Sequence, residues 1–259
     1  MKYIGTSLLI LLASFVGFNL LVIISSYFID DKREYDKNSR YYRFLLNSST
    51  GLWLKILRIK LHINGAENVP ENGRFFLVSN HRSKFDPIVT WYALRDKDLA
   101  FITKPENFNV PFFGRIIRKC AFMGIDREDA RNAIKTVNKA ARLLSEDEVS
   151  VAAYPEGTRS FDCTLLPFHN GIFLIAKKAR VPTVVLVVRG TEDIHKRVIK
   201  HRTDVYLDFV SVVRPDEYER VNTNELGAKI RKIYEETLGG MSNEQVHDPL
   251  QPESEQRAG

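Results

Sequence analysis

Residues 74–87 read RFFLVSNHRSKFDP. The opening positions, Arg74 through Val78, are a short apolar run of the kind that forms a buried strand. From Ser79 onward almost every side chain is polar. In an open α/β sheet, sites gather where strands end and loops begin, so this transition marks both an element and a place to look for chemistry. The strand signal recurs along the chain. RIKLHING, residues 58–65, alternates Ile59, Leu61 and Ile63 with Arg58, Lys60 and His62 before an Asn64–Gly65 turn, which makes a strand with His62 on its solvated side. With 75–79, further strands at 99–103, 121–125, 149–154, 183–188 and 205–212 bring the number to about seven. Helical patterns fall between most of them, at 88–95, 112–118, 128–145 and 172–180, and a last helix is predicted at 223–238. Strands alternating with helices predict an α/β domain with a mixed, partly parallel sheet of about seven strands flanked by helices. No internal repeat is found.

The chain of 259 residues is long enough to bury a substantial core. Its net charge of +6 favours an anionic partner, which includes nucleic acid, a lipid surface and a phosphorylated substrate. The basic residues are scattered among acidic ones, with no basic stripe or stacking-aromatic motif, so no nucleic acid partner is expected. The two cysteines, Cys120 and Cys163, form no CxxC and have no histidine at zinc-ligand spacing. Reduced thiols in a cytosolic setting are therefore expected. His195 and His201 stand in a basic stretch that reads as a surface loop, and no metal is called for.

Residues 4–29 contain no charged side chain. As a helix they would rise roughly 39 Å, enough to cross a hydrocarbon core of about 30 Å with some tilt. A cleavable signal peptide carries a shorter apolar stretch ending at small residues, whereas this one ends in Tyr27, Phe28 and Ile29. A retained membrane helix is expected. Lys2 alone precedes it, while Lys32, Arg33, Lys37, Arg40 and Arg43 follow, which by the positive-inside rule makes a single-pass protein with the rest of the chain on the cytoplasmic side. Residues 40–57, RYYRFLLNSSTGLWLKIL, combine Tyr41, Tyr42 and Trp53 with cationic Arg43, Lys55 and Arg58, the mixture of an interfacial helix. Gly51 is a place where that helix would break, and a core-packing helix is the other reading. The expected organisation is membrane-anchoring helices over 1–57, a folded domain over 58–240, and a disordered tail over 241–259, which lacks apolar periodicity.

Two strands end in polar clusters: Ser79 runs into NHRSKFDP and Tyr154 into PEGTRS. A neutral imidazole is the natural general base for a hydroxyl, and a carboxylate on its other nitrogen fixes the tautomer and stabilises the imidazolium. On an ideal helix positions 81 and 86 stand about 140° apart, so the segment must turn before His81 and Asp86 can touch. Asp86 followed by Pro87 also reads as a helix N-cap with proline in the first turn. In the second cluster Gly157 permits a sharp turn, Arg159 offers a planar fork for a phosphate, and Glu156 can accept from a substrate hydroxyl. An ordinary surface turn with solvated Glu156 and Arg159 is the alternative.

Taken in order, NHRSKFD (80–86), AFMGIDR (121–127), YPEGTRS (154–160) and VPTVVLVV (181–188) closely resemble the signatures of the glycerolipid acyltransferases, the family that includes lysophosphatidate (1-acyl-sn-glycerol-3-phosphate) acyltransferase. The connectors KPENFNVPFFGRIIR from Lys104 and LLPFHNGIFLIAKKARVP from Leu165 are similar in style, so the resemblance covers roughly residues 58–212. Tyr154 stands where the family commonly has Phe, Val185 where a second proline is common, and the second block is loose enough that only Arg127 carries over. The resemblance implies a glycerol-3-phosphate acyltransferase-like fold and a membrane-bound O-acyltransferase. It would move a fatty acyl group from acyl-CoA or acyl-carrier-protein to the sn-2 hydroxyl of lysophosphatidate, making phosphatidate in phospholipid synthesis. It further implies His81 as the base, Asp86 as its orienting carboxylate, Glu156, Gly157 and Thr158 shaping the acceptor site, and Arg159 and Arg127 on the acceptor phosphate. Asn80, Ser83 and Lys104 would support them, with no metal and no cofactor beyond the acyl donor. An anionic membrane surface would be the chain's partner, as its cationic flanks suggest. An acyl-serine intermediate on Ser83, a different lysolipid or glycerol 3-phosphate as acceptor, and a membrane-bound lipid hydrolase using the same His/Asp pair stand as alternatives.

Overall fold

The computed structural model describes residues 2–197 and 201–244; the tail from 245 to 259, expected to be disordered, lies outside the described residues. Seven strands form one sheet: β1 (Ile59–Asn64), β2 (Phe76–Ser79), β3 (Leu99–Thr103), β4 (Met123–Gly124), β5 (Ser150–Ala153), β6 (Thr183–Arg189) and β7 (Thr203–Val213). Their order is β1-β7-β6-β2-β5-β3-β4. From β6 to β4 all neighbours are parallel, β7 is antiparallel to β6, and β1 runs parallel to β7. The carboxyl ends of five strands therefore share one edge of the sheet. Every residue of β2 and β5 is buried, which is why these strands read as apolar runs and not as alternations.

Two of the strands depart from the sequence reading. His62 is not simply solvated. Its Nε2 lies 2.7 Å from Asp204 Oδ1 and its ring stacks on Tyr206 at 4.7 Å, because the β1/β7 register sets His62 beside Tyr206. The strand expected at 121–125 is reduced to β4, since Ala121 adopts φ +60° in the turn that ends the preceding helix.

Nine helices accompany the sheet among the described residues: α1 (Lys2–Tyr27), α2 (Arg40–Ile56), α3 (Asp86–Ala93), α4 (Phe113–Lys119), α5 (Ala130–Ser145), α6 (Leu174–Ala179), α7 (Ile194–Arg197), α8 (Pro215–Tyr218) and α9 (Thr223–Glu244). The helix expected at 172–180 is divided into a 3-10 turn, Asn170–Phe173, and α6. The basic stretch around His195, expected as a loop, holds the short α7. The last helix continues to Glu244, so the first residues of the expected tail are helical. α5 shows how these helices are specified. Asp129 caps it by accepting from the Arg131 and Asn132 N–H groups, and one face carries Val137, Ala140, Ala141, Leu143 and Leu144 into the core. α2 packs with α3 and α4, α5 packs with α6, and α9 covers β7.

Among the described residues, one helix is long and apolar enough to cross a membrane by length and composition, over Gly5–Tyr27 in α1. Its side chains Leu9, Ile10, Leu11 and Leu12 are exposed. α2 has two faces. Leu46 and Leu54 enter the core and Thr50 Oγ1 accepts from Trp91 Nε1 at 3.0 Å, whereas Tyr41, Phe44, Trp53 and Ile56 are exposed. Gly51 does not break this helix. A Cβ there would lie 2.7 Å from the Tyr92 ring, so the glycine lets α2 approach α3. Nor is Arg43 a cationic flank: it is buried, donating to the carbonyls of Leu99 (2.7 Å) and Cys120 (2.9 Å) and to Asn38 Oδ1. The segment joining α1 to α2 is pinned by ion pairs Asp31–Arg115 (2.9 Å), Glu34–Lys139 (2.8 Å), Asp36–Arg142 (2.6 Å) and Lys37–Glu148 (2.8 Å). Exposed pairs of this kind contribute about 0–1 kcal/mol each, so they set the path of the segment more than its stability.

Candidate active site

β2 stops at Ser79, and the next side chain takes over the sheet's hydrogen bonding. Asn80 is buried, donates from Nδ2 to the Val188 carbonyl (3.0 Å) and accepts from the Val188 N–H (2.8 Å), so it fastens the strand's exit to β6. The chain then turns, with the Asp86 N–H donating to the Ser83 carbonyl at 3.2 Å, and α3 starts at Asp86–Pro87. That turn supplies the bend the spacing required. His81 Nδ1 and Asp86 Oδ2 lie 2.7 Å apart.

Asp86 is fully buried. Its Oδ2 also accepts from the N–H groups of Arg82 (2.7 Å) and Ser83 (2.8 Å), and its Oδ1 accepts from the Thr191 hydroxyl. The carboxylate thus looks back at the turn and does not cap α3. Thr191 comes from the loop after β6. Gly190, at φ +85°, leads into it, and a Cβ on that glycine would stand 2.4 Å from the Asp204 carbonyl oxygen. The sequence reading did not single out Thr191; a Gly–Thr pair at the end of an apolar strand was the available signal.

Ser83 is buried, and its Oγ accepts from the Phe85 N–H at 3.3 Å and makes no bond to the His81 imidazole. Its position is that of a turn residue. With Nδ1–H donated to Asp86, Nε2 of His81 is the nitrogen left for a ligand. His81 lines a cavity of about 350 Å³ together with Lys104, Arg127, Gly157, Thr158 and Arg159. The loops after β2, β3, β4 and β5 therefore bring all of these sequence-selected residues into one chamber.

Glu156 has a different place from the one expected. It is buried, with Oε1 accepting from the His81 N–H (2.7 Å) and Oε2 from the Leu166 N–H (2.9 Å), so both oxygens are committed to backbone and none to a substrate hydroxyl. Burial raises its pKa above the ordinary carboxylate value, against the opposing pull of those two N–H groups. The Ser160 N–H donates to the His81 carbonyl at 2.8 Å. Both backbone groups of His81 are thus held by the second cluster. Gly157, at φ +77°, makes room for the Arg127 guanidinium: a Cβ there would lie 2.7 Å from Arg127 Nη1. Thr158 and Arg159 are exposed, with the Arg159 guanidinium 5.5 Å from the Phe161 ring centre.

A second cavity of about 480 Å³ adjoins the first, sharing Ile102, Arg127, Tyr154 and Gly157 and walled by Ile125, Ile134, Val137, Ile172 and Leu174. A carboxylate-oriented imidazole, two guanidinium groups and an apolar chamber suit general-base chemistry on a hydroxyl of a phosphorylated amphiphile.

This chain resembles known proteins in sequence and in fold. Residues 60–189 match the family model described as Acyltransferase. The chain is 25% identical to the 1-acyl-sn-glycerol-3-phosphate acyltransferase of Haemophilus influenzae over 79% of this chain and 88% of that protein. It is 32% identical to the protein of the same name from Limnanthes douglasii over 54% of this chain, and it spans about half (49%) of that longer relative. The crystal structure of the 1-acyl-sn-glycerophosphate (LPA) acyltransferase of Thermotoga maritima superposes with a TM-score of 0.66 at 22% identity, covering 93% of this chain and 98% of that one, a likeness of fold.

Proposed function

This chain belongs to the acyltransferase family, and on that premise we propose that it acylates the sn-2 hydroxyl of lysophosphatidate, forming phosphatidate from an acyl thioester of coenzyme A or acyl-carrier-protein. The observation that carries the reading is His81, paired with the buried Asp86, facing one cavity with Arg127 and Arg159. His81 Nε2 takes the proton of the acceptor hydroxyl as that oxygen attacks the thioester carbonyl. Collapse of the tetrahedral intermediate forms the ester and expels the thiolate, which recovers the proton from the imidazolium. Asp86 stabilises the imidazolium between those steps, and the base contributes about 10²–10⁴ in rate. Arg127 and Arg159 hold the acceptor phosphate, a task for which the guanidinium fork is suited. Its supports are Asn80 and Glu156, which fix the backbone around His81.

The membrane elements serve the same reaction. α1 crosses the bilayer, the exposed Tyr41, Phe44 and Trp53 of α2 sit in its cytoplasmic interface, and the acceptor enters from the lipid while the donor arrives from water. The relatives named 1-acyl-sn-glycerol-3-phosphate acyltransferase support the choice of acceptor.

Thiol release from an acyl-CoA in detergent micelles, with and without lysophosphatidate, tests the reading in wild type and His81→Ala. The expected result is acceptor-dependent release that falls by about 10²–10⁴-fold in the variant. Acceptor-dependent turnover that survives unchanged in His81→Ala removes the base. Fatty acid released without acceptor makes the protein a hydrolase, and activity confined to acyl-carrier-protein assigns the donor.

A further inference from the structure

The imidazole of His81 is held in its plane by more than its bond to Asp86. One hydrogen bond at Nδ1 fixes a distance but leaves the ring free to swing about that line, because the second side-chain torsion of histidine is broad. Tyr154 closes that freedom. Its ring lies parallel to the imidazole, 4.0 Å between centres and 15° between planes. Behind Tyr154 stands Phe101, at 5.9 Å and 24°, and behind Phe101 stand Phe122 at 5.8 Å and Trp91 at 6.4 Å. The main chain of Tyr154 follows directly on β5, between β2 and β3 in the sheet, and its carbonyl accepts from the Gly157 N–H at 3.0 Å. The middle of the sheet thus fixes the main chain from which the Tyr154 ring reaches the imidazole.

We propose that Tyr154 is the positioning residue of the reaction centre, its ring face holding the His81 imidazole so that Nε2 points into the cavity shared with Arg127 and Arg159. The proposal rests on the acyl-transfer reading for its kinetic consequence, but the geometry it describes does not. The ring and the hydroxyl of Tyr154 have separate standing. The hydroxyl is sealed from solvent and, among the described residues, has no hydrogen-bond partner, so it adds nothing to the placement of His81, and a phenylalanine ring would serve as well. Tyr154 also forms part of the partition between the two cavities. Were that its whole task, replacing it would alter substrate affinity; as a positioning residue it governs turnover.

The test compares Tyr154→Phe and Tyr154→Leu with the wild-type full chain in detergent micelles. It uses acyl-transfer kinetics and nitrogen-detected spectra of labelled histidine, the His81 signals being assigned by their loss in His81→Gln. In wild type and Tyr154→Phe, His81 is expected to show a single neutral tautomer with the proton on Nδ1, and kcat in the two should agree within about threefold. In Tyr154→Leu the nitrogen shifts average or broaden, and kcat falls about 10–100-fold while KM stays within about threefold, the signature of a displaced catalytic group. A leucine variant with wild-type kcat and a single tautomer overturns the proposal, as does an equal loss in Tyr154→Phe, which would put the work in the hydroxyl. Should the leucine variant not fold, Tyr154→Met carries the same two outcomes. If wild type transfers no acyl group, the functional reading fails and the nitrogen spectra alone decide the positioning.

Discussion

The loops that leave β2 and β5 are neighbours on one edge of the sheet and use their polar side chains in opposite ways. After β2, the side chains of Asn80, Ser83 and Asp86 are buried and hydrogen-bonded within the protein. After β5, Glu156 and Ser160 are treated likewise, but Thr158 and Arg159 between them are exposed toward the cavity. A buried polar group left without a partner costs about 1–3 kcal/mol, so the enclosed set is committed to holding His81 in place. The exposed pair carries no such duty and is available to a ligand. Substitutions in the first set should therefore damage turnover, and those in the second should damage binding.

Asp86→Asn tests the first half and carries the largest expected effect. The remaining amide oxygen can keep facing the three donors now on Oδ2, while the new NH₂ donates to the Thr191 hydroxyl, which rotates to accept. Geometry survives and the negative charge does not. kcat should fall about 10³–10⁴-fold with KM little changed, and stability should drop by only about 1–2 kcal/mol in chemical denaturation. Turnover within tenfold of wild type would mean that the imidazolium needs no carboxylate, and the contrast between the loops would lose its chemical meaning.

Arg159→Ala tests the other half. Loss of a charged contact to the acceptor phosphate should raise the KM for lysophosphatidate about 10–100-fold, leave kcat within about threefold, and leave the unfolding midpoint unchanged because the side chain is exposed. A fall in kcat or in stability to match Asp86→Asn would show that the exposed tip also belongs to the scaffold.

The same contrast governs what could be read from the sequence. Strands such as β2, β5 and β6 were legible because burial on both faces demands unbroken apolar runs, and α5 because one buried face demands helical spacing. The His81–Asp86 pair was legible as a spacing and as a resemblance, and helix geometry called for a turn between the two, though the hydrogen bonds that make that turn were not legible. Residues whose role depends on another element were opaque. Thr191 reaches Asp86 only because β6 lies beside β2, and Arg43 is buried only because the carbonyls of Leu99 and Cys120 end up facing α2. Nothing local to Glu156 says that both its oxygens will be claimed by N–H groups 75 residues before it and 10 after it. Local pattern writes elements; pair geometry belongs to the topology that brings the pairs together.

Asp162 lies between the two classes, exposed like Arg159 yet hydrogen-bonded like Asp86, and it should show the smallest effect. Its Oδ1 accepts from the hydroxyls of Ser160 (2.7 Å) and Thr164 (2.8 Å) and from the Thr164 N–H (3.1 Å), which together hold its carboxyl at about 2, below the ordinary 3.8. A folded-state value below the unfolded one means that the folded loop binds the proton less readily. The stabilisation is therefore fully present above the unfolded value near 3.8 and is lost as pH falls toward 2. Acyl transfer measured from about pH 5 to pH 9 should then carry no step from this group. Asp162→Asn should speed amide exchange at Thr164 while changing kcat and KM by no more than about twofold. A carbon-13 titration of the Asp162 carboxyl in the full chain measures the shift directly. A midpoint at the ordinary value would mean that the loop carrying Arg159 opens in solution, and the division between enclosed and exposed residues would then fall at Glu156 instead of at Ser160.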